Sequence, residues 1–161
     1  MEPFEALYNT YQQDVFRFLL RLTGYDSLCA EELTQETFCQ AIRHLNRYEG
    51  RSTVYAWLCG IAKNIWKAEL RRRKSHPSGA EMPEQPDPAP PPDEAAESRE
   101  ISVTLLRKLH GLPEQEKELI LLRAAAGLSF RTIGEIFGQT ENWARVSYYR
   151  AKQKLKEDED I

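Results

Sequence analysis

Proline decides how this chain is divided. Between Ser75 and Pro92 stand His76-Pro77, Met82-Pro83, Gln85-Pro86, Asp87-Pro88 and Pro90-Pro91-Pro92. Each proline removes a backbone donor and bars helix continuation. The acids between them leave too little apolar surface to offset the entropy of ordering the backbone. The stretch 75–100 is therefore expected to be an extended, acidic linker. It splits the chain into an N-terminal domain, 1–74, and a C-terminal domain, 101–156, followed by a short acidic tail, 157–161.

Charge follows the same division, so the net −3 of the whole chain misleads. Residues 1–74 carry 11 basic and 9 acidic groups, and residues 101–156 carry 10 and 5. The linker carries 1 and 7, and the tail carries four acids and no base. Two mildly basic blocks separated by an acidic tether are the organisation that matters.

Both blocks read as helical. Phe4, Leu7, Tyr8, Tyr11, Val15, Phe18, Leu19 and Leu22 recur at three- and four-residue steps, forming one apolar stripe that Gly24 can end. Asp26 or Ser27 can cap a second helix, about 28–45, with Leu33, Phe38, Ala41, Ile42 and Leu45 inward and Glu32, Gln35, Glu36, Gln40 and Arg43 outward. Ser52 or Thr53 can cap a third, in which Val54, Trp57, Leu58, Ile61, Ala62 and Ile65 make the stripe. In the C-terminal block, Ile101, Leu105, Leu106 and Leu109 mark one helix. A second opens at Pro113 and runs to Gly127, Ser129 caps a short third, and Thr140 caps a last one reaching about Lys156. The expected fold class is all-α: an N-terminal bundle of three to four helices and a C-terminal four-helix module.

Several function classes are disfavoured. No apolar run approaches the ~18 residues that cross a bilayer. The start Met1-Glu2-Pro3-Phe4-Glu5 lacks the order of a signal peptide. A cytoplasmic protein without membrane insertion is expected. Cys29, Cys39 and Cys59 are too scattered for a disulfide framework, and even with His44 nearby they lack structural zinc spacing. The paired acids Glu31-Glu32 and Glu36 come with no nucleophile or phosphate loop. No enzyme activity, metal or cofactor is expected.

The segment from Leu128 to Leu155 is the sharpest local signal. A short helix, a turn at Gly138-Gln139-Thr140 and a longer basic helix form a helix-turn-helix arrangement. Ala144, Tyr148, Ala151 and Leu155 step by four, three and four and face the core. Glu141, Asn142, Arg145, Tyr149 and Lys152 then share an outward side that suits a major groove, with Arg150, Lys154 and Lys156 placed for phosphates. A second basic segment, from Lys63 through Asn64, Trp66, Lys67 and Arg71 to Lys74, offers cations and an aromatic off the apolar stripe. That composition suits single-stranded or opened DNA.

Four features occur in order. They are Leu7-Tyr8 with Arg17-Phe18-Leu19; Ala30-Glu31-Glu32-Leu33-Thr34-Gln35-Glu36-Thr37-Phe38; Trp57-Leu58 with Ile61-Ala62-Lys63-Asn64 and Arg71-Arg72-Arg73; and Leu112-Pro113 through Leu121-Leu122-Arg123, Gly127-Leu128-Ser129, Ile133-Gly134-Glu135-Ile136, Arg150-Ala151-Lys152 and Lys154-Leu155. Together they resemble an extracytoplasmic-function sigma factor of the sigma-70 family, a two-domain initiation factor of bacterial RNA polymerase. The resemblance covers both helical domains.

The resemblance implies a region 2-like domain that docks on core RNA polymerase through Glu32, Gln35, Glu36 and Gln40. The −10 promoter element would meet Tyr48, Arg51 and Ser52 in a loop and Lys63, Asn64, Lys67 and Arg71 on the third helix. A region 4-like helix-turn-helix would meet the −35 element through Thr140, Glu141, Asn142, Arg145, Tyr149, Arg150 and Lys152. It further implies an anti-sigma partner, often membrane-associated, and a linker that threads the polymerase's RNA path. Two positions depart from the usual pattern. The last helix begins Glu141-Asn142-Trp143-Ala144-Arg145-Val146 where many relatives have a Gly-Thr-Val-Lys-like start, and Ala68 stands where relatives often have an acid; Glu69 is expected to face elsewhere. Trp143 is expected to pack on the preceding helix. The alternative reading is a stand-alone helix-turn-helix regulator of duplex DNA.

Overall fold

The computed structural model describes residues 2–48, 50, 53–75 and 103–157. Arg51 and Ser52, nearly all of the expected linker and the last four residues lie outside the described residues. The chain divides into two units, Met1–Glu84 and Gln85–Ile161, and the division falls inside the proline-rich stretch. Among the described residues the elements are all helical.

The first unit holds α1 (Glu2–Leu22), α2 (Ser27–Arg43), a single 3-10 turn (Leu45–Arg47) and α3 (Val54–Ser75). Each of the three helices packs on the other two. Val15, Phe18, Leu19 and Leu22 of α1, Ala30, Leu33, Phe38 and Ala41 of α2, and Ala56, Leu58, Cys59 and Ala62 of α3 make the core. Thr34 and Thr37 are buried with them, because their hydroxyls donate to Ala30 O at 2.6 Å and Leu33 O at 2.7 Å within α2 itself. The reversal after α1 uses two successive left-handed residues, Gly24 (φ 78°) and Tyr25 (φ 66°). The Asp26 carboxylate then accepts from Cys29 N at 3.1 Å, satisfying one open amide of α2. Thr53 does the same for Ala56 N on α3. Asp26→Ala should cost about 1 kcal/mol, lowering the melting temperature of the first unit by roughly 4–8 °C; calorimetry on the full chain reads this directly.

Two inward assignments are corrected. Ile42 and Leu45 are 39% and 44% exposed. Seven residues, close to two full turns, separate Ile42 from Gln35, so it shares the outer face with that residue. Leu45 falls beyond the end of α2, in the 3-10 turn. Two outward assignments are corrected as well. Trp66 is 5% exposed and Lys63 4%. Both lie on the line of Cys59, at steps of four and three, so the buried face of α3 is wider than the apolar stripe alone suggests.

The second unit holds α4 (Val103–His110), α5 (Glu114–Ile120) running into a π turn (Leu121–Ala125), α6 (Phe130–Phe137) and α7 (Glu141–Glu157). Helix α7 packs on α4, α5 and α6, setting Ala144, Ala151 and Leu155 against Leu106, Leu119, Leu122 and Ile133 in one core. The sequence reading expected an unbroken helix from Pro113 to Gly127. Instead, Ala126 N donates to Leu121 O at 2.9 Å, the five-residue step of a π turn, and Leu128 N closes the end on Leu122 O at 3.0 Å around the left-handed Gly127. The widened turn buries both Leu121 and Leu122 and brings the Arg123 guanidinium to 4.2 Å from the Phe130 ring centre, with Nη1 donating to Leu128 O at 3.1 Å.

The α6–α7 turn is built as expected. Ser129 caps α6 through Thr132 N at 3.1 Å, Gly138 ends it at φ 68°, and Thr140 Oγ1 accepts from Trp143 N at 3.0 Å to open α7. Gln139 N closes the turn on Gly134 O at 2.7 Å. That closeness explains Gly134: a Cβ there would stand 2.7 Å from Thr140 O and 2.9 Å from Thr140 C.

Candidate nucleic-acid interface and docking face

In the first unit, the outer ridge of α2 carries Glu32, Gln35 and Glu36 in the open, with Gln40 half-buried and its Nε2 donating to Glu36 Oε1 at 3.4 Å. Four of the expected docking residues therefore lie on one surface. Beside it, α2 and α3 leave a cleft of about 380 Å³ floored by Leu33, Ile65 and Ala68 and rimmed by Glu32, Glu36, Glu69 and Arg72. Glu69 thus borders the same cleft as Ala68 rather than facing elsewhere. Its carboxylate accepts from Arg72 at 2.6 and 3.0 Å and from Arg73 at 3.1 Å. Hydrogen bonding from Arg72 foremost, then from Arg73, holds this carboxyl below its ordinary range. The sequence reading missed Leu28, 68% exposed, and Ile42 on the same ridge. Spacing of seven to either side of Gln35 is the signal that finds them.

On α3, Asn64, Lys67 and Arg71 are exposed at steps of three and four, a line of one amide and two cations. Lys63 does not join it: its buried ammonium donates to Asn64 Oδ1 at 3.3 Å. Trp66 does not join it either, since the Arg73 guanidinium covers its ring at 5.4 Å. Tyr48 is half-buried, its ring centre 5.2 Å from that of Trp57, which fixes the loop end against α3.

In the second unit, Thr140, Glu141, Asn142, Arg145, Tyr149, Arg150 and Lys152 are all exposed. Arg145 Nη2 pairs with Glu141 Oε1 at 3.3 Å, one turn apart. The Tyr149 ring is braced by Phe130 at 6.0 Å and Tyr148 at 5.3 Å. Trp143 packs on Phe137 at 5.3 Å, as expected, and stays off the outward line. Val146, which the sequence reading assigned to neither face, is 37% exposed in the middle of this one. Cys29, Cys39 and Cys59 are free thiols, and no group of His, Cys, Asp and Glu stands together as a metal site among the described residues. No described helix is long and apolar enough to cross a membrane.

A capped short helix, a turn too tight for any side chain at Gly134, and a second helix with an apolar back and a basic front define a helix-turn-helix DNA-binding protein. Comparison with known proteins narrows the class. Residues 7–76 match the family described as Sigma-70 region 2, and residues 94–155 match that described as Sigma-70, region 4. A probable RNA polymerase sigma-C factor of Mycobacterium bovis is 30% identical over 154 residues, covering 96% of this chain and 82% of that protein. The RNA polymerase sigma factor CarQ of Myxococcus xanthus is 31% identical over 158 residues, covering 97% and 88%. The sigma factor RpoE, solved in complex with the anti-sigma factor NepR from Bartonella quintana, shares the fold at a TM-score of 0.78 and 21% identity, covering 100% of this chain and 99% of that one. The chain belongs to the sigma-70 family of RNA polymerase sigma factors, in its extracytoplasmic-function group.

Proposed function

We propose that this chain is a transcription initiation factor that binds core RNA polymerase and directs it to promoters carrying −35 and −10 elements. One observation carries the reading: a region 2 and a region 4 stand in one chain, and each presents exposed cations on one helix, Lys67 and Arg71 beside Asn64 on α3 and Arg145, Arg150 and Lys152 on α7. The ridge of Glu32, Gln35, Glu36 and Gln40 docks on the polymerase. Helix α7 enters the major groove of the −35 element. There Arg145 reads a guanine edge and Asn142 an adenine edge, while Arg150 and Lys152 neutralise phosphates. Glu141, paired with Arg145, orients that guanidinium. Thr140 serves first as the α7 cap.

On α3, Lys67, Arg71 and Asn64 meet the displaced strand of the −10 element, with Tyr48 and the adjoining loop through Arg51 and Ser52 receiving a base. DNA stacking is worth about 1.4 kcal/mol per step and flipping a base costs a few kcal/mol. A domain of this size acts by capturing a flipped base while the polymerase supplies the remaining contacts, with no covalent step of its own. The factor works in the cytoplasm, and an anti-sigma factor holds it in reserve, as NepR binds the Bartonella RpoE in the solved complex.

Run-off transcription with purified core enzyme and a randomised promoter library tests the reading: added chain should select a defined pair of elements, and a library left unenriched overturns it. The stand-alone regulator reading requires tight, specific duplex binding without core. Burial separates the α3 residues. Lys67→Ala and Arg71→Ala should each lower open-complex formation about three- to tenfold, taking roughly 1 kcal/mol per phosphate contact. Lys63→Met should leave it within about twofold, because its ammonium is buried. Equal losses in all three, measured by permanganate footprinting, would contradict that division.

A further inference from the structure

We infer that Val146, with the braced ring of Tyr149, reads the 5-methyl group of a thymine in the −35 duplex. The inference rests on the assignment of α7 to that element and adds a base contact that hydrogen bonding does not supply. Among the described residues of the second unit, the large apolar side chains left exposed are Val146, 37%, and Tyr149, 53%. Both are on α7. Val146 lies four residues after Asn142 and three before Tyr149, so the three form one line along the helix. That line points away from Ala144 and Ala151, which are fully buried.

An apolar spot on an exposed basic helix has two ordinary explanations, a core contact or a protein partner. Its exposure removes the first. The flanking charges argue against an apolar protein surface: Arg145, Arg150 and Lys152 are all exposed beside it, which suits a polyanion. Valine offers no donor or acceptor, so it cannot read a nitrogen or oxygen on a base edge. The apolar group in the major groove is the thymine C5-methyl. Tyr149 is not a loose side chain that swings in from solvent. Phe130, itself buried, holds its ring from α6 at 6.0 Å, and Tyr148 holds it at 5.3 Å. A fixed aromatic wall beside a β-branched side chain with few rotamers makes a preformed seat for one methyl group.

The test uses holoenzyme, the full chain on core polymerase, and a promoter chosen by it from a randomised library. Each thymine of the −35 element, on either strand, is replaced singly by deoxyuridine, which deletes the methyl and keeps every hydrogen-bonding group. At one or two positions the wild-type holoenzyme should bind about fourfold more weakly, the value of one buried methyl. Val146→Ala should show that loss on the thymine promoter and no further loss on the deoxyuridine promoter. Alanine favours helix and the site is exposed, so the variant folds; its melting curve checks this. Uniform binding across all deoxyuridine duplexes, an element made only of G·C pairs, or an undiminished uracil penalty in Val146→Ala each overturns the inference. Arg150→Ala and Lys152→Ala separate it from its foundation. If they reduce the salt dependence of −35 binding while the methyl test is flat, only the thymine contact falls. If they too change nothing, α7 is not on the DNA and both fall.

Discussion

Gly134→Ala should disable −35 recognition while leaving the first unit intact. Judged by propensity alone the substitution should help, since alanine in a helix interior is better than glycine by about 1 kcal/mol. The packing reverses that sign. The added Cβ would lie 2.7 Å from Thr140 O, 2.9 Å from Thr140 C and 3.0 Å from Gln139 O. All three are backbone atoms of the turn, so no side chain can swing aside. Relief requires α7 to move off α6, which breaks the 2.7 Å bond from Gln139 N to Gly134 O and disturbs the packing of Ile133 and Ala144, both fully buried. Overpacking of this kind costs about 2 kcal/mol net, or roughly 10 °C in the melting temperature of a unit this small. Because α7 carries the proposed base contacts, transcription from a −35-dependent promoter should fall at least tenfold. Calorimetry and run-off assays together decide it: a variant that melts higher than wild type with normal transcription means the turn has slack that the geometry does not show.

The helix-turn-helix was legible because its determinants are local. Ser129, Gly138 and Thr140 act on residues within four positions of themselves, and the two faces of α7 follow from periodicity. The corrected residues differ from the sequence reading in which side of the helix they occupy. Trp66 looked exposed because lysines flank it, yet Arg73 covers its ring, and Arg73 also reaches Cys29 Sγ from 44 residues away at 3.3 Å. Ile42, read as inward with Phe38 and Ala41, sits on the outer ridge of α2 with Leu28. The π turn at Leu121–Ala125 has no local signature, since Leu-Leu-Arg-Ala-Ala suits an ordinary helix. Only the packing of Leu121, Leu122 and the Arg123–Phe130 contact favours the wider turn.

The mistaken exposures alter the reading of the −10 surface more than that of the −35 helix. Removing Lys63 and Trp66 from it leaves a line of one amide and two cations, Asn64, Lys67 and Arg71. The half-buried aromatics beside the loop are Tyr48 and Trp57, whose ring centres lie 5.2 Å apart. Such a surface holds backbone better than it reads sequence. Under the proposed assignment, sequence choice at the −35 element would fall to α7, where Asn142, Arg145, Val146, Tyr149 and Lys152 are all exposed.

Gln35→Lys combined with Glu36→Lys should abolish co-purification with core polymerase without unfolding the chain. The pair sits at the centre of the α2 ridge, both side chains exposed. Their own structural cost is small: surface changes of this sort stay within about 0.5 kcal/mol. What they lose is the exposed 3.4 Å contact from Gln40 to Glu36. Yet together they shift the charge of the ridge by +3, beside Glu31 and Glu32, on the face assigned to the polymerase. Like-charge juxtaposition across an interface costs several kcal/mol, so affinity for core should drop at least a hundredfold, about 2.7 kcal/mol. Gln12→Lys with Gln13→Lys adds two positive charges at exposed positions of a different helix, α1. This control separates a local clash from a general effect of net charge, and it should bind core within about twofold of wild type. Binding of the ridge variant at wild-type strength, read by pull-down and by equilibrium titration of labelled core, would take polymerase docking away from α2. A loss shared equally by the α1 control would mean long-range charge, not contact, had been measured, and raising the salt would then restore both.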